Sequence, residues 1–356
     1  WWIVMIELIK KYEGECIIDL NGTYTFSDLV NQVNEFKNQL SNKIGNHDRV
    51  LIHSDYTFHS ISLLVSLSDL NINIIPLVKT TESEYEEKIE SVNPHLILSF
   101  NDDNKLIIKN SKLTQNKEDV FNDVTNKGDT GIILFSSGTT GKPKVMIQNL
   151  TKIISSIKSP RRQKSLRFII LLMFDHIGGL NTLFNCLING SPFVIPHDRS
   201  PSLVIFLINK YQVNILPTTP TFLNLLMIDE SFDSSKLKSL KLITYGTERM
   251  SEIILNKLNT SLPKVKLLQT FGTSEQLIDP NKMDQFAKNI AADELKQGVT
   301  KSATDQAATE SIADILRSDR KMFGAGSKFR EIMFPGKDAS FIRRVGPGAA
   351  LATGIM

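Results

Sequence analysis

Gly131-Ile132-Ile133-Leu134-Phe135-Ser136-Ser137-Gly138-Thr139-Thr140-Gly141-Lys142-Pro143-Lys144 is the stretch that decides how this chain is read. A short apolar β-run, residues 131–134, leads straight into it. The ten residues from Phe135 to Lys144 carry four hydroxyls, two glycines and two lysines. Glycine lets successive backbone N–H groups turn into one concavity. Ser and Thr hydroxyls donate to phosphate oxygens, and the lysines add charge. Pro143 removes a donor and stiffens the exit. The inventory suits a polyphosphate; the plainer alternative is an exposed loop between two strands. It is not a Walker A loop, which needs four residues between its glycines and then Gly-Lys-Ser/Thr. Here only Thr139 and Thr140 separate Gly138 from Gly141, and Pro143 follows Lys142.

Working outward, strands and helices alternate. Strands are expected at 131–135, 145–148, 166–174, 192–195, 214–217, 241–245 and 264–270. Helices are expected at 150–157, 178–188, 201–211, 221–228 and 251–259. Upstream, Thr23-Tyr24-Thr25-Phe26 reads as a short strand before a helix, with Ser27 as N-cap and Leu29, Val30, Val33, Phe36 and Leu40 at helical spacing. Further strands are expected at 49–53, 72–77, 94–100 and 105–109, with a buried helix over 60–70. Residues 101–130 are polar and read mostly as surface loop. This is an α/β chain of layered, parallel-rich sheets with flanking helices.

The composition excludes other classes. The 356 residues hold 41 Lys+Arg against 38 Asp+Glu, a net charge of +3, too small to imply nucleic acid as the main partner. Hydrophobic residues make up 41%, enough for sizeable cores and against a disordered or rod-like chain. No apolar run approaches the roughly 18 residues that a membrane span needs. Cys16 and Cys186 form no disulfide framework and no metal spacing, and they fit a reducing, cytoplasmic compartment. The chain opens on Trp1, with Met5 as the natural start. No alanine occurs up to Lys282, and twelve follow from Ala287 onward. The sharper reading is a junction, by fusion or assembly, between two unrelated coding segments; the plainer one is a natural helical appendage. The expected domains are 1–280 and a mainly helical segment, 281–356, of unknown role, with amphipathic helices over 283–320 and a Gly/Pro-punctuated end over 323–356.

The loop resembles the signature of the adenylate-forming superfamily: acyl-CoA synthetases, fatty-acyl-AMP ligases, peptide-synthetase adenylation domains and luciferases. That signature ends in glycine where this chain has Val145, a departure that alters the turn after Lys144 and spares the phosphate-facing residues. Further matches follow in the family's order. Phe174-Asp175-His176-Ile177-Gly178-Gly179-Leu180 resembles the motif whose His or aromatic side chain borders the acyl pocket. Leu216-Pro217-Thr218-Thr219-Pro220-Thr221-Phe222 resembles the turn flanking that pocket. Tyr245-Gly246-Thr247-Glu248 resembles the strand end beside adenine, and Gln269-Thr270-Phe271-Gly272-Thr273-Ser274-Glu275 the next motif.

The resemblance covers about residues 5–277 and implies ATP-dependent activation of a carboxylic acid to acyl-AMP, with a fatty or other acyl acid favoured. It implies ATP and Mg²⁺, and it leaves open CoA, an acyl-carrier protein or no thiol as acceptor. By resemblance, Thr139, Lys144, His176, Ser274 and Glu275 are the catalytic candidates, with Glu275 also holding the metal. Ser136, Ser137, Gly138, Thr140, Gly141, Lys142, Gly246, Thr247, Glu248, Phe271 and Gly272 are the nucleotide-binding candidates. The family's later Thr-Gly-Asp segment and C-terminal catalytic Lys have no counterpart: Thr353-Gly354 is followed by Ile355. The chain is therefore expected to be truncated and impaired. The alternative is a non-catalytic nucleotide- or acyl-binding module.

Overall fold

A computed structural model of the chain describes residues 5–111, 121–136, 144–157, 166–246 and 248–269. The chain divides into two compact units, Trp1–Ile157 with Leu172–Gly190, and Lys158–Leu171 with Ser191–Met356.

The first unit begins with α1 (Met5–Ile9) and the antiparallel hairpin of β1 (Glu15–Asp19) and β2 (Gly22–Thr25). Helix α2 (Phe26–Leu40) buries Phe26, Leu29, Val33, Phe36 and Leu40 along one stripe. Its N-cap is Thr25, not the expected Ser27. Thr25 Oγ1 accepts from Asp28 N–H, and the Asp28 carboxylate accepts from Thr25 N–H, closing a reciprocal box that Ser27, two residues further on and already inside the helix, is too late to make.

Next come β3 (Arg49–His53), α3 (Phe58–Leu67), β4 (Asn73–Leu77), α4 (Glu82–Val92), β5 (Leu96–Phe100) and β6 (Leu106–Asn110). They continue through α5 (Asn122–Thr125), β7 (Gly131–Ser136), β8 (Lys144–Asn149) and α6 (Leu150–Ser156). Strands β3 to β8 form a six-stranded sheet in the order β6-β5-β3-β4-β7-β8, parallel in its centre and antiparallel at both edges. The apolar runs of β3, β4 and β7 are buried on both faces, as a covered parallel sheet requires. Within the stretch expected to be mostly loop, β6 pairs with β5 and α5 forms one turn; residues 112–120 lie outside the described residues. Helix α7 (Ile177–Asn189) completes the unit, buried almost all round.

The second unit holds β9 (Phe168–Ile169), β10 (Phe193–Val194), α8 (Pro201–Tyr211), β11 (Ile215–Thr218) and α9 (Pro220–Ile228). A 3₁₀ turn (Ser234–Leu237), β12 (Leu242–Tyr245), α10 (Glu252–Ser261) and β13 (Lys266–Gln269) follow. Within this unit the run β13-β12-β11-β9-β10 is parallel throughout. The long strand expected over 166–174 is a correction: only Phe168 and Ile169 are strand. Ile170 N–H still bonds Val194 O, but Leu171 O then accepts from Arg199 Nε at 2.8 Å and is lost to any ladder. Met173 O in turn accepts from His176 N–H, in the turn that starts α7.

Among the described residues no helix is long and apolar enough to cross a membrane. The expected boundary at 280 and everything after it lie outside the described residues.

Candidate functional site

In the first unit, chain direction fixes where a ligand can sit. β3 runs on through α3 to β4 on one side, while β4 returns through α4 across β3 to β5 on the other. Right-handed crossovers in opposite directions put α3 and α4 on opposite faces, so the carboxyl ends of β3 and β4 open between diverging connections. Open parallel sheets bind ligands at such switch points. β7 lies beside β4 and ends at Ser136.

Ser136 pairs in register with Lys144, the first residue of β8. β7 and β8 thus flank residues 137–143 on either side, at the carboxyl end of β7. Ser137, Gly138, Thr139, Thr140, Gly141 and Lys142 themselves lie outside the described residues.

The His176 motif belongs to the same unit. His176 is the N-cap of α7, and its Nδ1 accepts the Gly178 N–H at 3.1 Å. An accepting Nδ1 places the ring hydrogen on Nε2. His176 thus offers a neutral N–H donor, a group suited to holding a carbonyl or carboxylate oxygen and not to removing a proton. The ring reaches the surface, yet desolvation by the protein packed around it lowers its pKa, with Asp175 acting the other way.

Asp175 reaches back to β4, where its carboxylate accepts the Val78 N–H at 3.5 Å. Burial raises its pKa; that bond and the charge of Lys88 oppose the rise. Phe174 packs edge-on against Tyr56, with ring centroids 5.0 Å apart. The strand end that leads into the loop motif, Ser136, and the His motif thereby meet the ends of neighbouring strands of one sheet. His53, at the carboxyl end of β3, packs at a tilt against Tyr85 of α4, with ring centroids 4.7 Å apart. Burial, then the charge of Lys79, holds its imidazole below the ordinary value. His53 and Lys88 lie outside every motif, and no spacing in the sequence points to them.

In the second unit, β11 and β12 are neighbours ending at Thr218 and Tyr245. The Thr218 hydroxyl is buried with no partner among the described residues. Thr219 caps α9 by accepting the Phe222 N–H. Glu248 accepts from both the N–H and the hydroxyl of Thr221, joining the Thr218 motif to the Gly246 motif. Its carboxylate is thus committed at least in part to a helix start. Tyr245 is buried, and desolvation pushes its phenol above its usual range. Thr247, Phe271, Gly272, Ser274 and Glu275 lie outside the described residues. Among the described residues no group of three or more His, Cys, Asp or Glu is placed to hold a metal ion.

The model of one protein family, described as AMP-binding enzyme, matches residues 10–288. A 4-coumarate–CoA ligase 3 of Arabidopsis thaliana is 24% identical over 209 residues, covering 55% of this chain and 37% of that protein. A D-alanine–D-alanyl carrier protein ligase of Lactococcus lactis subsp. lactis (strain IL1403) is 21% identical over 289 residues, covering 75% and 58%. Among solved structures, the luciferase-like enzyme of the mealworm Zophobas morio superposes with a TM-score of 0.60 at 20% identity, covering 77% of this chain and 72% of that one. The likeness to the solved structure shows the shared fold. The chain spans less than two thirds of the length of either curated relative.

Proposed function

The chain belongs to the AMP-binding enzyme family, and on that premise we propose that it activates a carboxylic acid with ATP, forming an acyl-adenylate and releasing pyrophosphate. The observation that carries this reading is the in-register pair Ser136 and Lys144. These two residues bracket the hydroxyl-and-lysine segment at the carboxyl end of β7, one strand away from the point where the His176 motif docks.

In the reaction a carboxylate oxygen forms a bond to the α-phosphorus, and the bond from that phosphorus to the pyrophosphate oxygen breaks. Such a displacement needs alignment and charge neutralisation more than covalent help. Ser136, Ser137, Gly138, Thr139, Thr140, Gly141, Lys142 and Lys144 hold the departing phosphates with backbone N–H groups, hydroxyls and charge. The Nε2–H of His176 orients the acid, and Thr218 lines the acyl side. Gly246, Thr247, Glu248, Phe271, Gly272 and Ser274 make up the nucleotide side. Glu275 is assigned to Mg²⁺, which supplies charge neutralisation on the phosphates. CoA or a carrier protein is the proposed acceptor of the acyl group where a thioester is made. A reducing, cytoplasmic location rests on the two buried free cysteines, Cys16 and Cys186.

The test is carboxylate-dependent ATP–pyrophosphate exchange across a panel of fatty, aromatic and amino acids. Exchange with one acid class supports the proposal. ATP binding with no exchange under any acid transfers the chain to the non-catalytic binding reading. Acid-independent ATP hydrolysis refutes both.

A further inference from the structure

In the second unit each helix carries the chain from the carboxyl edge of the parallel strands back to their amino edge. Strands β11, β12 and β13 succeed one another in one direction across the sheet. Right-handed crossovers therefore lay α8, α9 and α10 on one face. The segments that leave these helices, 212–214, 229–241 and 262–265, gather at the amino edge. Backbone bonds tie them together: Asn214 N–H bonds Arg167 O, Lys241 N–H bonds Asn214 O, and Lys266 N–H bonds Lys241 O.

Two kinds of side chain collect there. Lys210, Lys236, Lys238, Lys241, Lys264 and Lys266 stand at helix ends and strand starts, all exposed except the half-buried Lys266. The carboxylates of the connection after α9 are Asp229, Glu230 and Asp233. Asp229 and Asp233 accept the N–H groups of Ser231 and Ser235, and the cations of the edge outnumber the acids. Beside the lysines, large apolar side chains face water: Phe206 of α8 is 54% exposed, and Leu225 and Ile228 of α9 are 45% and 61% exposed. The Lys210 ammonium stands over the Phe206 ring, 5.6 Å from its centroid, and over the Tyr211 ring at 4.8 Å. Helix α8 packs against α9 on one side and against the 3₁₀ turn that bears Lys236.

Lysines interleaved with exposed bulky apolar groups suit the surface of an anionic bilayer. The ammonium groups meet headgroup phosphates, and the apolar groups enter the acyl boundary. An acidic protein would use the lysines and leave Phe206 and Ile228 wetted. A two-fold pairing of this face with itself would set lysine against lysine. We propose that the amino edge of this unit is a peripheral docking surface for a membrane rich in anionic lipid. Thr218 and Tyr245 close β11 and β12 at the opposite edge, so docking leaves their strand ends open. This surface stands on residues apart from those of the adenylation reading.

The experiment is flotation of the full chain with vesicles of phosphatidylcholine alone and of equal parts phosphatidylcholine and phosphatidylglycerol, at low and high salt. The wild type should float with the anionic vesicles, bind phosphatidylcholine far less, and be released by salt. Lys238→Gln combined with Lys241→Gln should weaken binding about thirtyfold, roughly fivefold for each lysine. Phe206→Ser combined with Ile228→Ser should weaken it about tenfold by removing inserted apolar area. Lys109→Gln combined with Lys127→Gln makes the same change in net charge at exposed sites of the first unit and should leave binding unchanged. Thermal unfolding of all three double variants should match wild type, since every altered side chain is largely exposed. Absence of binding to the anionic vesicles overturns the inference, as do equal binding to both vesicle types and an equal loss in the Lys109 and Lys127 control. So does a loss in the Lys238 and Lys241 variant with none in the apolar one, the behaviour of a surface built for an acidic protein. If the apolar double variant does not fold, Ile228→Asn alone takes its place, at the more exposed of the two positions, and unchanged binding there overturns the inference.

Discussion

Replacing Gly179 by alanine adds one methyl group at the first turn of α7. An ideal Cβ there would lie 2.3 Å from Met173 O, 2.8 Å from the Tyr56 hydroxyl and 2.9 Å from Leu172 O. Two of the three are backbone oxygens, which no rotamer change can move. Overpacking of this kind costs roughly 1–3 kcal/mol, and rigid neighbours put Gly179→Ala at the upper end. Alanine returns about 1 kcal/mol of helix propensity, leaving a net loss of about 2 kcal/mol. For a folding unit of this size that corresponds to a fall of roughly 4–8 °C in melting temperature. Gly178→Ala is the internal control. Its Cβ would meet Leu172 Cδ1 at 3.1 Å, the far end of a flexible side chain, and His176 Nδ1 at 3.4 Å. The propensity gain then roughly cancels the contact, and the melting temperature should stay near wild type or rise. Circular dichroism melts of the three proteins in one buffer make the comparison. Gly179 N–H and Leu180 N–H both bond His176 O, so Gly179→Ala should also displace His176 and depress acid-dependent exchange. A Gly179→Ala protein that melts within 1 °C of wild type, or above Gly178→Ala, would refute the close approach of α7 to the 172–173 backbone.

His176 is favoured in its neutral form by folding. Its contribution is full above about pH 6.5 and is lost as pH falls toward the depressed folded value; His176→Asn keeps a capping oxygen without a titration, so the wild-type fall in melting temperature below pH 6.5 should be blunted in it. The raised Asp175 carboxyl has the opposite sign: its contribution is full below about pH 3.9 and lost as pH rises through the raised folded value. Asp175→Asn, which keeps an acceptor for Val78 N–H, should therefore melt at or above wild type at pH 7, and a lower melting temperature there would contradict the assignment. Thr218→Val removes a buried hydroxyl with no partner among the described residues. It should leave the melting temperature unchanged or raised while altering KM for the acid; unchanged kinetics with every acid in the panel would take Thr218 out of the site.

The amino-acid sequence was enough for the alternation of strands and helices, because buried strands and amphipathic helices such as α2 write their period directly into the order of apolar residues. It was also enough for the family, because a phosphate loop needs glycine, hydroxyl and lysine in a fixed local order. It did not reveal α4. Glu82–Val92 is mostly charged, and its apolar stripe is only Tyr85, Ile89 and Val92, of which Val92 alone is fully buried. Its existence depends on a Thr81 cap and on docking against a sheet formed by strands far away in the chain. Nor could it shorten the strand at 166–174, since the end of β9 is set by Arg199 capturing Leu171 O. Whether Asp175 meets β4, which ring nitrogen of His176 carries the hydrogen, and whether Lys88 faces Phe135 are all consequences of non-local approach. Local periodicity records which face of a segment is buried, but only the packed chain decides which atoms share that burial and how their charges respond.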